Sequence, residues 1–148
     1  MDPAYAPSPF TWLLLLALSW GLVGLIWTIA LVHYPAFRYA GAEWEDAHAH
    51  HTTWIGVLVG PIMVVELGVA FYVAWRSGYQ WQWLVPLGLV VLTWANTFFQ
   101  AVPLHNQLGL AHDIDVVERL VRVNWVRTVL WTAKAGWVSW LFVGAWRV

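Results

Sequence analysis

The sequence predicts an all-α integral membrane protein: a four-helix up-down bundle with two long loops on one face, forming one domain over residues 1–148. Three observations carry this expectation. Apolar residues make up 61% of the chain and charged residues 10%, an excess that a water-soluble fold of this size could not hide. Four apolar stretches (10–32, 54–75, 81–102 and 123–146) each approach the ~20 residues that a helix needs to cross ~30 Å of hydrocarbon. Hydrocarbon also leaves an open sheet edge without hydrogen-bond partners, so the spans are helices, and helices joined in sequence pack up-down by default.

Composition excludes several classes. With no cysteine, the chain has no disulfide, iron–sulfur cluster or covalently attached c-type haem. A net charge of −1 offers no basic face to nucleic acid. No cleavable signal is expected: residues 1–9 lack Lys and Arg, and the apolar run that follows is too long for a signal core. The first run is read as a retained span.

Taken in order, span 10–32 carries no charge and leads into His33-Tyr34-Pro35. The first long loop holds Glu43, Glu45, Asp46, His48, His50 and His51. Nothing breaks a helix between Ala42 and Thr53, so the second helix is expected to begin near Glu43. Span 54–75 contains Glu66, and Pro61 after Gly60 should bend it. A tight turn at 76–80 reverses the chain. Span 81–102 is uncharged but carries Asn96 and Gln100, and it runs on into Pro103-Leu104-His105. In the second long loop Asp115-Val-Val-Glu118 fits a capping box, with Asp115 as N-cap, a start near Val116, and Arg119 and Arg122 in water. Span 123–146 contains Arg127 and Lys134. Spans 10–32 and 81–102 both end in a Pro/His pair before an acidic loop, an echo of a duplicated two-helix unit.

An even number of spans puts both long loops on one side, and with them all six histidines. Arg76 and Arg147 face the short-turn side; Arg38, Arg119 and Arg122 face the other, so the Lys/Arg rule separates the sides weakly. The expectation is a bacterial inner (cytoplasmic) membrane, termini cytoplasmic and the histidine-rich face outside.

Three constellations could carry chemistry. His48 and His51 are i, i+3 neighbours on a helix, and His33 and His105 end spans at matching depth. His33, His48 and His51 could hold a metal, with Fe, Cu, Zn or haem as the open choices; neutral histidines moving protons, His105 among them, are the alternative, and a solvated polar rim is the bland one. Glu66 and Lys134 both lie ~20 Å below that face, at ~1.5 Å per residue. Charges in lipid pair or line cavities, so the two are expected to face inward and interact. Asn124, Arg127, Trp131 and Lys134 share one helix face; a buried network that only fixes packing is the competing view. Fourteen tryptophans are many for this length. Trp12, Trp75, Trp81, Trp83 and Trp146 fit one interfacial belt and Trp44, Trp54 and Trp125 the other, while Trp131 should point inward. Aromatic walls with a few polar groups suit a flat lipophilic ligand such as a quinone, polyketide or pigment; aromatic filler is the plainer explanation. Trp131, Asn106 and Gln100 are the candidate contacts to such a ligand.

The run Gln100-Ala-Val-Pro-Leu-His-Asn-Gln-Leu108, the run Arg119-Leu-Val-Arg-Val-Asn-Trp-Val-Arg-Thr128, Trp131-Thr132, His33-Tyr34-Pro35 and Gly60-Pro-Ile-Met-Val-Val-Glu-Leu67 together resemble a group of uncharacterised bacterial four-span membrane proteins. More distantly the chain is similar to the anthrone-oxygenase-like membrane family. That resemblance implies four spans and oxygenation of aromatic polyketides without a dedicated metal, and it carries over Asn106, Asn124, Trp125 and Arg127. The His48/His50/His51 cluster is not part of that family's pattern.

The leading expectation is therefore a membrane oxidoreductase or oxygenase of a lipophilic substrate. His105, Arg127, Asn124, Glu66 and Lys134 are its candidate catalytic groups, with Arg127 and Asn124 holding an anionic oxygen. Alternatives are a small subunit of a larger electron-transfer or photosynthetic membrane complex, and a lipid- or quinone-binding protein. Expected partners are the lipid bilayer, a lipophilic small molecule, and further copies or other membrane subunits; nucleic acid is not expected.

Overall fold

A computed structural model describes residues 6–146 and is helical almost throughout, with no strand among the described residues. Arg147, placed on the short-turn side above, lies outside the described residues. Four long helices follow in order: α1 Pro9–Tyr39, α2 Trp44–Arg76, α3 Trp81–Leu108 and α4 Ile114–Ala145. The first three are long and apolar enough to cross a membrane.

Helix ends follow local chemistry. Ser8 caps α1, its Oγ accepting from Thr11 N–H at 3.1 Å, with Pro9 in the first turn, where its missing N–H costs nothing. The α2 helix begins at Trp44 behind Glu43, as expected. It ends at Ser77, where Gly78 (φ 66°) and Tyr79 (φ 58°) adopt left-handed backbone and Tyr79 N–H closes on Ala74 C=O at 2.8 Å; glycine makes the first of these inexpensive.

Two expectations need correction. The helical part of the long loops is larger than expected: α2 and α4 start before their apolar stretches, as expected, but α1 and α3 also run past theirs, leaving only 40–43 and 109–113 as connections. The N-cap of α4 is Asp113, not Asp115: Asp113 has extended backbone, and its Oδ1 accepts from Asp115 N–H at 2.9 Å and from Val116 N–H at 3.4 Å. Glu118 is not a box partner because it has a stronger one, Arg38 of α1, whose Nη2 reaches Oε2 at 3.0 Å.

Helix α4 packs along α1 and α3, and α2 packs against α3 and α1. The α2/α4 diagonal is closed by side chains, Lys134 and Trp131 both bonding to Glu66. One core cluster, holding Leu22, Ile26, Tyr34, Leu104, Leu120 and Trp131, fills the histidine-rich half. A smaller one, of Trp12, Leu15, Val73, Trp83, Val138 and Leu141, fills the short-turn half. Trp12, Trp83 and Trp44 are therefore core residues, not belt residues. The Trp12 and Trp83 rings pack with centroids 5.5 Å apart, tilted by 48°, and Trp44 Nε1 donates to Leu108 C=O at 2.9 Å, tying α2 to the end of α3.

Helices α1 and α3 each contain one π turn, Ile29–His33 and Thr97–Ala101. Each precedes a proline by two residues, Pro35 and Pro103. A proline ring clashes with the carbonyl four residues back, and a widened turn relieves that clash. The turns, the prolines and the Glu66/Lys134 pair all share one offset, 68 residues (97 − 29, 103 − 35, 134 − 66). The echo between the halves thus extends from sequence to backbone.

Candidate functional site

The widened turns decide which side chains face inward. In an unbroken α-helix the inward stripe of α3 would pass from Asn96 to Gln100; the π turn moves it to Ala101 and on to Leu104 and Leu108, all buried, and leaves Gln100 exposed. In α1 the same shift brings Tyr34, only 2% exposed, to the position that His33 would otherwise hold, and leaves His33 at the rim. π turns of this kind recur at functional sites.

Tyr34 is the hub. Arg127 Nη2 donates to its Oη at 3.3 Å, and that oxygen lies 2.9 Å from His105 Nε2. Arg127 can only donate, which leaves the Tyr34 hydroxyl proton available to His105 Nε2 when that nitrogen is the unprotonated one. His105 then carries a proton on Nδ1, which points at His48 Nε2, 3.2 Å away. In that tautomer the contacts line up as one directed chain, Arg127 to Tyr34 to His105 to His48. His33 Nε2 and His51 Nδ1 form a second pair at 2.6 Å, and the His51 and His105 rings lie 5.5 Å apart. Arg127 also donates to Asn124 Oδ1 at 2.8 Å, which fixes the guanidinium's height on α4.

The site is clamped from outside. His112 Nε2 lies 2.8 Å from Phe37 C=O, and the Arg38–Glu118 pair fastens α1 to α4. That pairing lowers the Glu118 carboxyl below its ordinary value, chiefly through the hydrogen bond from Arg38.

Beneath Tyr34, His105 and Arg127 lies a cavity of about 250 Å³, just below the usual ~300–1,000 Å³ of small-molecule sites. Gly56, Gly60 and Met63 of α2, Trp94 and Phe98 of α3, and Trp131 of α4 form its walls. Both glycines meet open space where a Cβ would stand. A second cavity, about 310 Å³, lies between α1 and α2 against His33, His50, His51 and Trp54, and shares Leu25, Ile29 and Ile55 with the first.

Deeper still, Lys134 Nζ donates to Glu66 Oε1 at 2.8 Å and Trp131 Nε1 to Glu66 Oε2 at 3.1 Å. Asn124, Arg127, Trp131 and Lys134 are all buried, as one helix face requires. Glu66 and Lys134 do not line the cavity; Trp131 connects them to it.

Of the residues singled out in the sequence, His33, His48, His51, His105, Arg127, Asn124 and Trp131 come together. Gln100 and Asn106 do not: both are exposed and outside the cavity wall. Trp125 is outside it too, 38% exposed and packed on Trp27. Tyr34 is not among the residues the sequence singles out; Pro35 beside it marks a disturbed turn, and the π turn of 29–33 is what brings Tyr34 inward. Among the described residues no three His, Asp or Glu side chains form a group able to hold a metal ion; the histidines face one another in pairs instead.

No protein-family model, curated protein or solved structure matches this chain.

Proposed function

We propose that the chain is a four-helix bundle crossing the bacterial inner membrane, and that it acts as an oxidoreductase of the oxygenase type on a lipophilic ring compound held in the cavity below Tyr34. The membrane reading is supported by α1, α2 and α3, by α4 turning Arg127 and Lys134 inward, and by an apolar outer surface on which Phe99 is 81% and Trp81 62% exposed. Groups that would be costly in lipid are thereby kept from it.

The observation that carries the chemical reading is the meeting of an aromatic-walled cavity with a directed hydrogen-bond chain at its polar end. A substrate proton handed to Tyr34 Oη displaces the tyrosine proton to His105 Nε2, and the His105 Nδ1 proton to His48. The chain returns to neutral when His48, protonated on Nε2, gives up its other ring proton from Nδ1 toward the rim. Such a relay removes a proton from a substrate shielded from water, the step that prepares an electron-rich ring for reaction with dioxygen. The reading calls on no metal.

The test is oxygen uptake by the purified protein with a hydroxyanthracenone. We expect uptake well above the protein-free rate, lost in Tyr34→Phe and His105→Gln. Uptake equal to the blank, or indifferent to both changes, would refute the reading.

A second reading has its own support. Trp20 and Trp27 bond across the α1/α4 seam to Ser139 and Thr132, at 3.1 Å each, and stay exposed on that flank together with Trp125 and Trp140. An indole-rich flank suits a partner subunit, another copy or a pigment in a larger membrane complex. Migration of the solubilised protein on a native gel as a defined larger species would favour it.

A further inference from the structure

We propose that the ligand of the cavity below Tyr34 is bound as an oxyanion, with Arg127 as its counter-charge. This rests on the reading of that cavity as a binding site and adds the charge state of what it takes.

The buried charges do not balance without a ligand. Arg127 is 8% exposed, and a guanidinium does not give up its proton in proteins. Every acid among the described residues is committed elsewhere or out of reach. Glu66 pairs with Lys134 and Glu118 with Arg38, while Glu43, Glu45, Asp46, Asp113 and Asp115 are exposed at the rim. The groups bonded to Arg127, Tyr34 and Asn124, are neutral. Its Nε is buried with no hydrogen-bond partner. Burying a cation without compensation is expensive, and such groups pair or line a ligand path. The contrast with Lys134 is direct: that cation, buried deeper still, carries its own carboxylate at 2.8 Å.

Arg127 lines the cavity beside Tyr34 and His105, above walls formed by Trp94, Phe98 and Trp131. The complementary molecule is therefore an apolar body ending in an oxygen that bears negative charge. Aromatic walls and a compact volume favour a ring-borne oxyanion, a phenolate or enolate, over an alkyl carboxylate, although the charge complementarity is the same for both.

The experiment uses the full chain in detergent or nanodiscs at neutral pH, with binding read from tryptophan fluorescence. The probes are 2-hydroxy-1,4-naphthoquinone, which is ionised under these conditions, and its neutral methyl ether. Decanoate is measured by competition. We expect the hydroxyquinone to bind at least about tenfold tighter than the ether. Arg127→Lys should keep the preference and Arg127→Gln abolish it. Decanoate binding as tightly as the hydroxyquinone would uphold the oxyanion and assign it to a fatty acid. Gly60→Leu, which fills the cavity from α2, should weaken both quinones. Equal binding of anion and ether in the unaltered protein, or a preference that survives Arg127→Gln, overturns the inference; should Arg127→Gln not fold, the unaltered protein and Arg127→Lys still decide. If both quinones bind equally and Gly60→Leu weakens both, the cavity reading stands and the oxyanion alone falls. If neither binds, the cavity reading itself falls.

Discussion

Lys134 on α4 meets Glu66 on α2 at 2.8 Å, with both side chains at most 2% exposed, across a diagonal of the helix array that backbone packing does not close. The pair lies between Met63 and Val73 on α2 and between Trp131 and Val138 on α4, that is, between the two apolar clusters. Removing one partner leaves an uncompensated buried charge, and we expect Glu66→Met or Lys134→Met alone to destabilise by about 3–5 kcal/mol. Removing both exchanges the pair for apolar packing and should cost far less, leaving mainly the Trp131 N–H without its acceptor, about 1–3 kcal/mol. Unfolding in mixed detergent micelles measures all three. A double variant as unstable as the worse single one would show that the charges do not act as a pair.

Tyr34→Phe removes one oxygen and with it two contacts, those of Arg127 and His105. Both partners remain at a site that water reaches poorly, so we expect a loss of about 1–3 kcal/mol with the helical content unchanged. The relay reading adds a stronger expectation: oxygen uptake falls more than tenfold, while binding of a neutral naphthoquinone ether changes by less than threefold, because the cavity walls are untouched. Equal losses in uptake and binding would assign Tyr34 a packing role only.

Much of this arrangement is legible in the residues. The apolar periods give the helices, and inward placement of Glu66, Arg127, Trp131 and Lys134 follows from the cost of charge in an apolar surround. What sequence periodicity misses is register. Counting by 3.6 through 29–33 and 97–101 places His33 and Gln100 inward, whereas the π turns add a residue and place Tyr34 and Ala101 there. Pro35 and Pro103 signal a disturbed turn but not its direction, since a proline is equally compatible with a kink. The tryptophans mislead for a different reason: an indole suits an interface and a core alike, and Trp12, Trp44 and Trp83 find partners inside.

The cap of α4 separates sequence pattern from structure in a single comparison. Asp113 Oδ1 holds the amides of Asp115 and Val116, so Asp113→Ala should lower stability by about 1 kcal/mol. Asp115 lies in the exposed first turn, where its contribution is limited to the helix dipole, about 0.3–1 kcal/mol. Thermal melting of the two variants side by side checks the order. A larger loss for Asp115→Ala would restore the capping box read from Asp115 and Glu118.

Glu118 gives the fold a pH dependence whose sign is fixed. Arg38 holds its carboxyl below the ordinary value, so the folded state binds this proton more weakly than the unfolded chain does. The contribution is complete above the unfolded carboxyl range, near pH 4.5, and is lost as pH falls through the lowered folded value. The pair is exposed to water, so the effect is modest and screened by salt. We expect Glu118→Gln to melt below the unaltered protein at pH 7 and low salt, the gap to shrink in high salt, and the gap to narrow steadily as pH falls below the unfolded carboxyl range. A gap that does not narrow with acidification would mean that Glu118 acts through packing at the α1/α4 seam, not through its charge on Arg38.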